Sequence, residues 1–317
     1  MADFTRKREP CVSTPRHRVE YLGNRYRLGR RIGSGGMGDV YEVIDIELGQ
    51  KKAAKILKTN DAFAVRRFQR EARLAATVAH PNLCEVLESG ACERGSFLIM
   101  PLLEGRPLSK ILKKGALEIG RSVEIACGIL SGLSAIHDAG IIHRDLKPSN
   151  IFVSPLAGEQ AVKLLDFGVA ADTNVVPRKT THNIVLGTPY YMAPERLSHN
   201  VFNVRTDIYA MGVVLYEMIT GKKPYTGAPF EVWDKILSCA EMYVPPGRVV
   251  PNLSFELEEI IMRSMCRLPQ DRFENASSMK RALQRAPLET GDDRARKPQE
   301  MTQDDLPVPS GLFRGDF

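Results

Sequence analysis

The sequence predicts an α+β protein in which strands come first and helices follow. Strand-like apolar runs and a glycine-rich turn occupy residues 26–103, and long helical patterns dominate from residue 118 onward. Within the second part, two short strand-like runs are flanked by four polar residues, Asp145, Lys147, Asn150 and Asp166. The chain has 317 residues, which is ample for two packed domains.

The composition is that of an ordinary globular protein, with 43% hydrophobic and 26% charged residues. No apolar run approaches the roughly 20 residues that span a bilayer, and no secretory signal is recognisable. We therefore expect a cytoplasmic protein without a membrane span. The six cysteines are scattered without a CxxC pair, and this favours reduced structural thiols.

The net charge of +6 is concentrated at the N-terminus. Residues 1–31 carry nine basic and three acidic residues, and this accounts for the whole excess. The basic character therefore describes an N-terminal arm, and we expect no nucleic-acid partner. The arm is either a solvated tail or a docking arm for an acidic partner.

A glycine-rich turn follows the first predicted strand, Tyr26–Arg31, and precedes a second one, Val40–Ile46. The turn between them, Gly33–Gly38, reads GSGGMG and is predicted to form a hairpin tip. Glycine there lets backbone N–H groups approach phosphate oxygens. A Rossmann turn has similar spelling but opens a helix, and a flexible hairpin without a ligand is the other alternative.

The remaining elements follow from periodicity and capping residues. Strands are predicted at 53–57, 83–87, 97–103, 151–153 and 162–165. Helices are predicted at about 61–78, 108–114, 118–139, 207–219, 229–239, 254–267 and 275–284.

The stretch from Ile141 to Gly168 carries the chemistry, with the sequences HRDLKPSN and DFG on either side of a predicted hairpin. It resembles the catalytic loop and metal-binding segment of Hanks-type serine/threonine protein kinases, and several details resemble bacterial members. The Lys147-Pro148 pair is typical of the serine/threonine class. A GTPYYMAPE segment resembles the peptide-binding loop of that family.

This resemblance implies a bilobal protein-kinase-like fold, with a small antiparallel β lobe, a larger mainly helical lobe and ATP in the cleft. The kinase domain would cover 26–285, divided into an N-lobe at 26–100, a hinge at 101–104 and a C-lobe at 105–285. A basic extension would precede it at 1–25, and a disordered or extended tail would follow at 286–317.

The resemblance also assigns roles to side chains. Asp145 would accept or orient the proton of the substrate hydroxyl, and Lys147 would approach the transferred phosphate. Asn150 and Asp166 would supply oxygen ligands to Mg²⁺. Lys55 would hold the α- and β-phosphates with Glu71 as its ion-pair partner, although a solvated i,i+4 pair with Arg67 is the alternative for Glu71.

ATP would contact the glycine-rich turn, the strand that carries Lys55 and the hinge. Met100 would be the gatekeeper, Pro101 would offer its carbonyl and Leu103 its N–H to adenine, and Glu104 would meet the ribose. The full predicted set is Ile32, Gly33, Ser34, Gly35, Gly36, Met37, Gly38, Asp39, Val40, Ala53, Lys55, Pro101, Leu103 and Glu104.

The segment from Asp166 to Glu195 is expected to be a mobile loop. The resemblance implies that Arg144 pairs with this loop, and so orders it, once the loop is phosphorylated. The candidate autophosphorylation sites are Thr180, Thr181 and Thr173. Thr188 would form a hydrogen bond near Asp145 and Lys147.

Two structural roles and the overall function complete the expectation. Glu195 would pair with Arg272, and Asp207 would anchor the catalytic-loop backbone. The expected function is ATP-dependent phosphorylation of Ser/Thr hydroxyls of protein substrates, with possible partner docking through the N-terminal arm or C-terminal tail. A pseudokinase scaffold and a small-molecule phosphotransferase are the rival interpretations.

Overall fold

The computed structural model describes residues 20–36, 38–155, 162–166, 189–238 and 243–289, without the side chain of Glu71. These residues form two compact units. The β unit contains the described residues up to Ala79 together with Cys84–Glu104. The helical unit contains His80–Leu83 and the described residues from Gly105 onward. The predicted bounds of the lobes and hinge stay predictions.

The β unit is built on a six-stranded antiparallel sheet with the strand order β1-β2-β3-β4-β6-β5. The strands are β1 (Tyr21–Leu22), β2 (Tyr26–Ser34), β3 (Gly38–Asp45), β4 (Gln50–Leu57), β5 (Glu88–Cys92) and β6 (Gly95–Pro101). Strands β2 and β3 form the predicted hairpin around the glycine-rich turn, since Ser34 pairs with Asp39 at its tip.

One helix, α1 (Ala62–Ala75), packs on this sheet. The Asp61 carboxylate caps it by accepting a hydrogen bond of 2.8 Å from the Ala64 N–H. Phe68 and Ala72 from α1 pack against Leu57 and Leu98 of the sheet. The sheet face that carries Leu57 is therefore the face covered by α1.

The helical unit contains eight helices among the described residues. They are α2 (Leu108–Leu112), α3 (Ile119–Asp138), α4 (Pro194–His199), α5 (Val204–Thr220), α6 (Pro229–Ser238), α7 (Pro246–Val249), α8 (Phe255–Ser264) and α9 (Ala276–Arg285). Three short strands, β7 (Arg106–Pro107), β8 (Ile151–Val153) and β9 (Val162–Leu164), form an antiparallel sheet in that order. The predicted α+β fold class, an antiparallel β part plus a larger, mainly helical part, is confirmed.

Helices α3 and α5 form the interior of the helical unit, because most of their residues are buried. By length and composition alone α3 is long and apolar enough to cross a membrane. Within the helical unit, however, 67% of its apolar window is buried against other elements. Its apolar character is therefore accounted for by packing.

The predicted strand at 83–87 is wrong. Leu83 forms an isolated parallel bridge with Leu164 of β9, and the following strand begins at Glu88. Asn82 adds a side-chain hydrogen bond of 3.0 Å to the Val162 carbonyl. Residues 83–87 do not form one strand, because Leu83 belongs to the helical unit, whereas the residues after it belong to the β unit.

Other predicted elements are correct within a few residues. The helix predicted to reach residue 78 ends at Ala75, and the strand predicted to end at residue 103 ends at Pro101. End positions depend on terminal hydrogen bonds that sequence periodicity does not report.

Candidate active site

The catalytic loop lies between α3 and β8. Helix α3 ends at Asp138, and Gly140 follows it with a φ of +71°, a conformation that favours glycine. Further along the loop Arg144 also adopts a left-handed conformation, with φ of +67°, which is uncommon for a residue with a side chain. This turn in the chain precedes Asp145 directly.

Three residues predicted for the site meet at the Asp145 side chain. The Lys147 ammonium donates to Asp145 Oδ2 at 2.7 Å, and the Asn150 amide donates to the same oxygen at 3.1 Å. The Asn150 amide also donates to the Asp145 carbonyl at 2.9 Å, because a 3₁₀ turn at Pro148–Asn150 folds the chain back. The Asp145 side chain remains 41% exposed, so an acceptor group in solvent can reach it.

Asp207, in the first turn of α5, anchors the loop from inside the unit. Its carboxylate accepts hydrogen bonds from the N–H groups of His143, at 2.8 Å, and Arg144, at 2.9 Å. This confirms the predicted anchoring role. A third contact, from His137 Nε2 at 2.8 Å, was not predicted, because only the tertiary packing of α3 against α5 brings His137 to Asp207.

Burial and hydrogen bonding act in opposite directions on the Asp207 carboxyl. Burial raises its pKa, but the hydrogen bonds from His137 and from the His143 amide lower it, and the net pKa lies below the ordinary value. The neighbouring His143 is fully buried, and this burial lowers the pKa of its imidazole. His143 therefore stays neutral at physiological pH and serves as a packing residue.

Asp166 follows β9 and has a φ of +49°. Strand β9 pairs with β8, and the Leu165 N–H donates to the Asn150 carbonyl at 2.8 Å. Asp166 is therefore the residue next to a backbone hydrogen bond with Asn150. The backbones of the two predicted metal ligands, Asn150 and Asp166, therefore lie next to each other in the helical unit.

The chemistry of this pair fits Mg²⁺, which prefers carboxylate and amide oxygens. The Asn150 amide nitrogen is directed to Asp145, so the Asn150 oxygen points away from that carboxylate. Among the described residues, no cluster of three His, Cys, Asp or Glu side chains is suited to a metal on its own. Magnesium bound here would therefore complete its coordination with phosphate oxygens and water.

The glycine-rich turn belongs to the β unit. The Gly35 N–H donates to the Gly38 carbonyl at 2.9 Å, and a Cβ on Gly38 would collide with the Ile56 carbonyl of the next strand. Lys58, which was not predicted, donates to Ser34 Oγ and to the Gly35 carbonyl, both at 3.0 Å. Met37 lies outside the described residues.

Lys58 also forms a salt bridge of 3.1 Å with Asp39 Oδ1 on the other side of the turn. The hydrogen bond from Ser34 lowers the pKa of the Asp39 carboxyl, as does the nearby Lys58 ammonium. One ammonium group therefore joins both arms of the hairpin.

Lys55 lies on the central strand β4 and is 6% exposed. Its register partners are Val40 on β3 and Leu98 on β6, so it shares the sheet face that α1 covers. The Lys55 ammonium lies 6.0 Å from the centroid of the Phe68 ring of α1. Glu71 also belongs to α1, but its side chain is outside the described structure, so the proposed Lys55–Glu71 pair stays a prediction.

The predicted hinge begins at the end of β6. Met100 pairs with the buried Ala53, and Pro101 pairs with Lys52 as the last residue of the strand. Leu103 and Glu104 follow without regular structure. Ile32 and Val40 lie on β2 and β3 beside the glycine-rich turn, and their contact with ATP stays a prediction.

The predicted Glu195–Arg272 pair is confirmed as a bidentate interaction, with two N–O distances of 2.8 Å. The Arg272 side chain is fully buried, and it also donates to three backbone carbonyl groups. These belong to Arg205, Cys266 and Arg267. The pair therefore fixes the segment that ends at Glu195 to α5 and to the chain after α8.

Several predictions fall outside the described residues. They concern Thr173, Thr180, Thr181, Thr188 and residues 1–19 and 290–317 of the two terminal extensions. Of the predicted N-terminal extension, Tyr21–Leu22 forms β1 and pairs with β2.

Comparison with known proteins now identifies the family. Residues 26–284 match the family model for the protein kinase domain, and the chain therefore belongs to the protein kinase family. Serine/threonine-protein kinase pkn3 of Myxococcus xanthus is 38% identical over 285 residues, which cover 84% of this chain and 51% of pkn3. The resemblance to bacterial Hanks-type kinases is confirmed.

A second relative, serine/threonine-protein kinase PknA of Mycobacterium tuberculosis, is 35% identical over 263 residues that cover 80% of this chain and 59% of PknA. The chain thus spans only about half the length of these two curated relatives.

Solved structures support the fold. The PknI kinase domain of Mycobacterium tuberculosis aligns with a TM-score of 0.63 at 24% identity, over 82% of this chain and 95% of that one. Rad53 1-466, solved in complex with AMP-PNP, aligns with a TM-score of 0.67 at 23% identity, over 80% and 64%.

Proposed function

We propose that this chain is a protein serine/threonine kinase that transfers the γ-phosphate of ATP to Ser/Thr hydroxyls of proteins. The observation that carries the proposal is the Asp145 carboxylate, held by Lys147 and Asn150 on a loop whose backbone is anchored by Asp207. Phosphoryl transfer depends mainly on positioning and on charge stabilisation, and this arrangement supplies a positioned acid and a cation. The names of the curated relatives agree with it.

The chemical roles follow from the contacts. Asp145 orients the acceptor hydroxyl and accepts its proton, while Lys147 stabilises negative charge on the transferred phosphate. Asn150 and Asp166 would hold Mg²⁺, which neutralises phosphate charge when bound. In the β unit, the backbone of the glycine-rich turn and the Lys55 ammonium would contact phosphate oxygens, and residues 101–104 would contact the base and ribose.

The finer parts of this proposal are the substrates and the regulation. The confirmed Glu195–Arg272 pair supports a protein substrate, because it fixes the segment that resembles a peptide-binding loop. Autophosphorylation would occur on Thr180, Thr181 or Thr173, and the basic N-terminal arm or the C-terminal tail would dock partners.

An assay with labelled ATP tests the proposal. Wild type is expected to label itself and a generic basic protein but not small alcohols, at roughly 1–100 turnovers per second once activated. Asp145→Asn should lower kcat roughly 10²- to 10⁴-fold, because the amide cannot accept the proton, while the melting temperature stays unchanged. Asp138→Asn, an exposed acid at the end of α3, is the matched control and should behave as wild type.

Two outcomes would replace the proposal. Wild-type transfer no higher than that of Asp145→Asn would identify a pseudokinase scaffold. Preferential labelling of small alcohols would identify a small-molecule phosphotransferase. Phosphosite mapping of the most active preparation tests the threonines separately, and an unmodified loop there would contradict autophosphorylation.

A further inference from the structure

The catalytic loop has a second anchor that the sequence motifs do not predict. Arg196, on α4, donates from Nη1 to the Arg144 carbonyl oxygen at 2.5 Å. Arg144 has the left-handed φ of +67°, and a residue with a side chain keeps this conformation only where its surroundings hold it. Arg196 provides one such contact from outside the loop.

The peptide groups at Arg144 are therefore held from both sides. The Asp207 carboxylate accepts the N–H groups of His143 and Arg144, while the Arg196 guanidinium donates to the Arg144 carbonyl. Each of these hydrogen bonds involves an ionised side chain, and such bonds are stronger than those between neutral groups. The position of the following residue, Asp145, depends on the orientation of these peptide groups.

An aromatic ring supports Arg196. The Phe202 centroid lies 5.4 Å from the Arg196 guanidinium carbon and 5.0 Å from that of Arg144. A ring face attracts cations, so Phe202 stabilises two guanidinium groups that would otherwise repel each other. Burial lowers the pKa of Arg196, but Asp145 and Asp207 favour its charged form.

We propose that Arg196 is a positioning residue of the catalytic loop, supported by Phe202, and that it holds Asp145 in register for phosphoryl transfer. This inference rests on the proposed kinase function. The inference extends that function, because Arg196 follows Glu195 directly and so connects the segment fixed by Arg272 to the peptide group that precedes Asp145.

The main test is Arg196→Met, which keeps the length and apolar stem of the side chain but removes the donor. We expect kcat to fall roughly 10- to 100-fold, as for a small displacement of a catalytic group, with the KM for ATP within about twofold of wild type. Arg205→Met is the matched control, since Arg205 also donates to a carbonyl, that of Pro269, at 3.3 Å in the same unit. It should keep the wild-type kcat.

Amide hydrogen exchange gives a readout independent of activity. Exchange of a peptide covering residues 141–147 should accelerate in Arg196→Met and remain unchanged in Arg205→Met, because only the first variant releases the loop backbone. Wild-type kcat and unchanged exchange in Arg196→Met would overturn the proposal. Equal losses in both variants would also overturn it, since they would indicate a general packing role.

A second variant covers the case in which Arg196→Met does not fold. Phe202→Leu keeps an apolar side chain but removes the ring, and a selective loss of kcat with faster exchange at 141–147 is expected. An unchanged kcat in that variant would overturn the proposal. Absence of transfer by wild type would instead contradict the proposed function, so the two failures are distinguishable.

Discussion

The catalytic loop and the glycine-rich turn both need backbone groups in defined positions, but different kinds of charge hold them. Asp207, which is 1% exposed, accepts two N–H groups of the catalytic loop inside the helical unit. Lys58, whose side chain is 43% exposed, holds the glycine-rich turn at the surface of the β unit. Both contacts are charge-assisted hydrogen bonds to backbone.

Burial decides how firmly each contact holds. A buried charge that loses its partner cannot be stabilised by water, so such contacts are costly to break. An exposed contact is screened by salt and exchanges with water. The comparison indicates a catalytic loop of fixed geometry and a turn that adjusts.

The statement that buried charged contacts are costly to break is tested most strongly at Arg272. Arg272→Leu leaves the Glu195 carboxylate without its bidentate partner and removes the guanidinium hydrogen bonds to three backbone carbonyl groups. We expect a loss of about 3–5 kcal/mol in the free energy of unfolding, measured by urea denaturation of the full chain.

The control for this experiment is Arg121→Leu, which removes an i,i+3 pair with Glu124 on the solvent side of α3. Its cost should stay below about 0.5 kcal/mol. Similar losses in Arg272→Leu and Arg121→Leu would show that burial does not distinguish these pairs, and the comparison would fail.

A smaller effect is expected at Asp207, where pH provides the readout. The folded-state pKa of Asp207 is lowered, so ionised Asp207 stabilises the fold above the unfolded-state pKa of about 3.9. That stability is lost as the pH falls through the lower folded-state pKa.

Asp207→Asn should therefore be destabilised by about 1.5–3 kcal/mol at pH 7, because the amide replaces one accepting oxygen with a donor. The difference from wild type should shrink as the pH falls below about 3.9, which urea denaturation at several pH values measures. A difference that is constant over this range would contradict a role for the Asp207 charge.

The predictable parts of the site are those encoded by local spacing. The relation of Asp145 to Lys147 and Asn150 depends on one turn of chain, so a short motif was enough to place them together. Helix existence was predictable for the same reason, since α3 and α5 have long apolar patterns.

The contacts that sequence reasoning missed depend on tertiary packing. His137 reaches Asp207 across 70 residues, and Arg196 reaches Arg144 across 52. The error at residues 83–87 has a similar origin, because Leu83 pairs with Leu164 in another part of the chain. Periodicity shows which face of a helix or strand is apolar, but it does not show which other element packs against that face.

The statement that exposed contacts hold less firmly is tested at Lys58, where the smallest effect is expected. Lys58→Met removes the ammonium that contacts Ser34, Gly35 and Asp39, so the turn should become more mobile while the fold is retained. Since the contact is screened by solvent, we expect at most a roughly fivefold rise in the KM for ATP, with kcat unchanged. The difference from wild type should diminish at high salt. Lys51→Met is the control, because Lys51 lies at the start of β4, whereas Lys58 follows its end. Lys51 pairs with Glu42, and its side chain is 62% exposed. A loss of kcat in Lys58→Met as large as that in Arg196→Met would show that the turn, too, requires a fixed geometry.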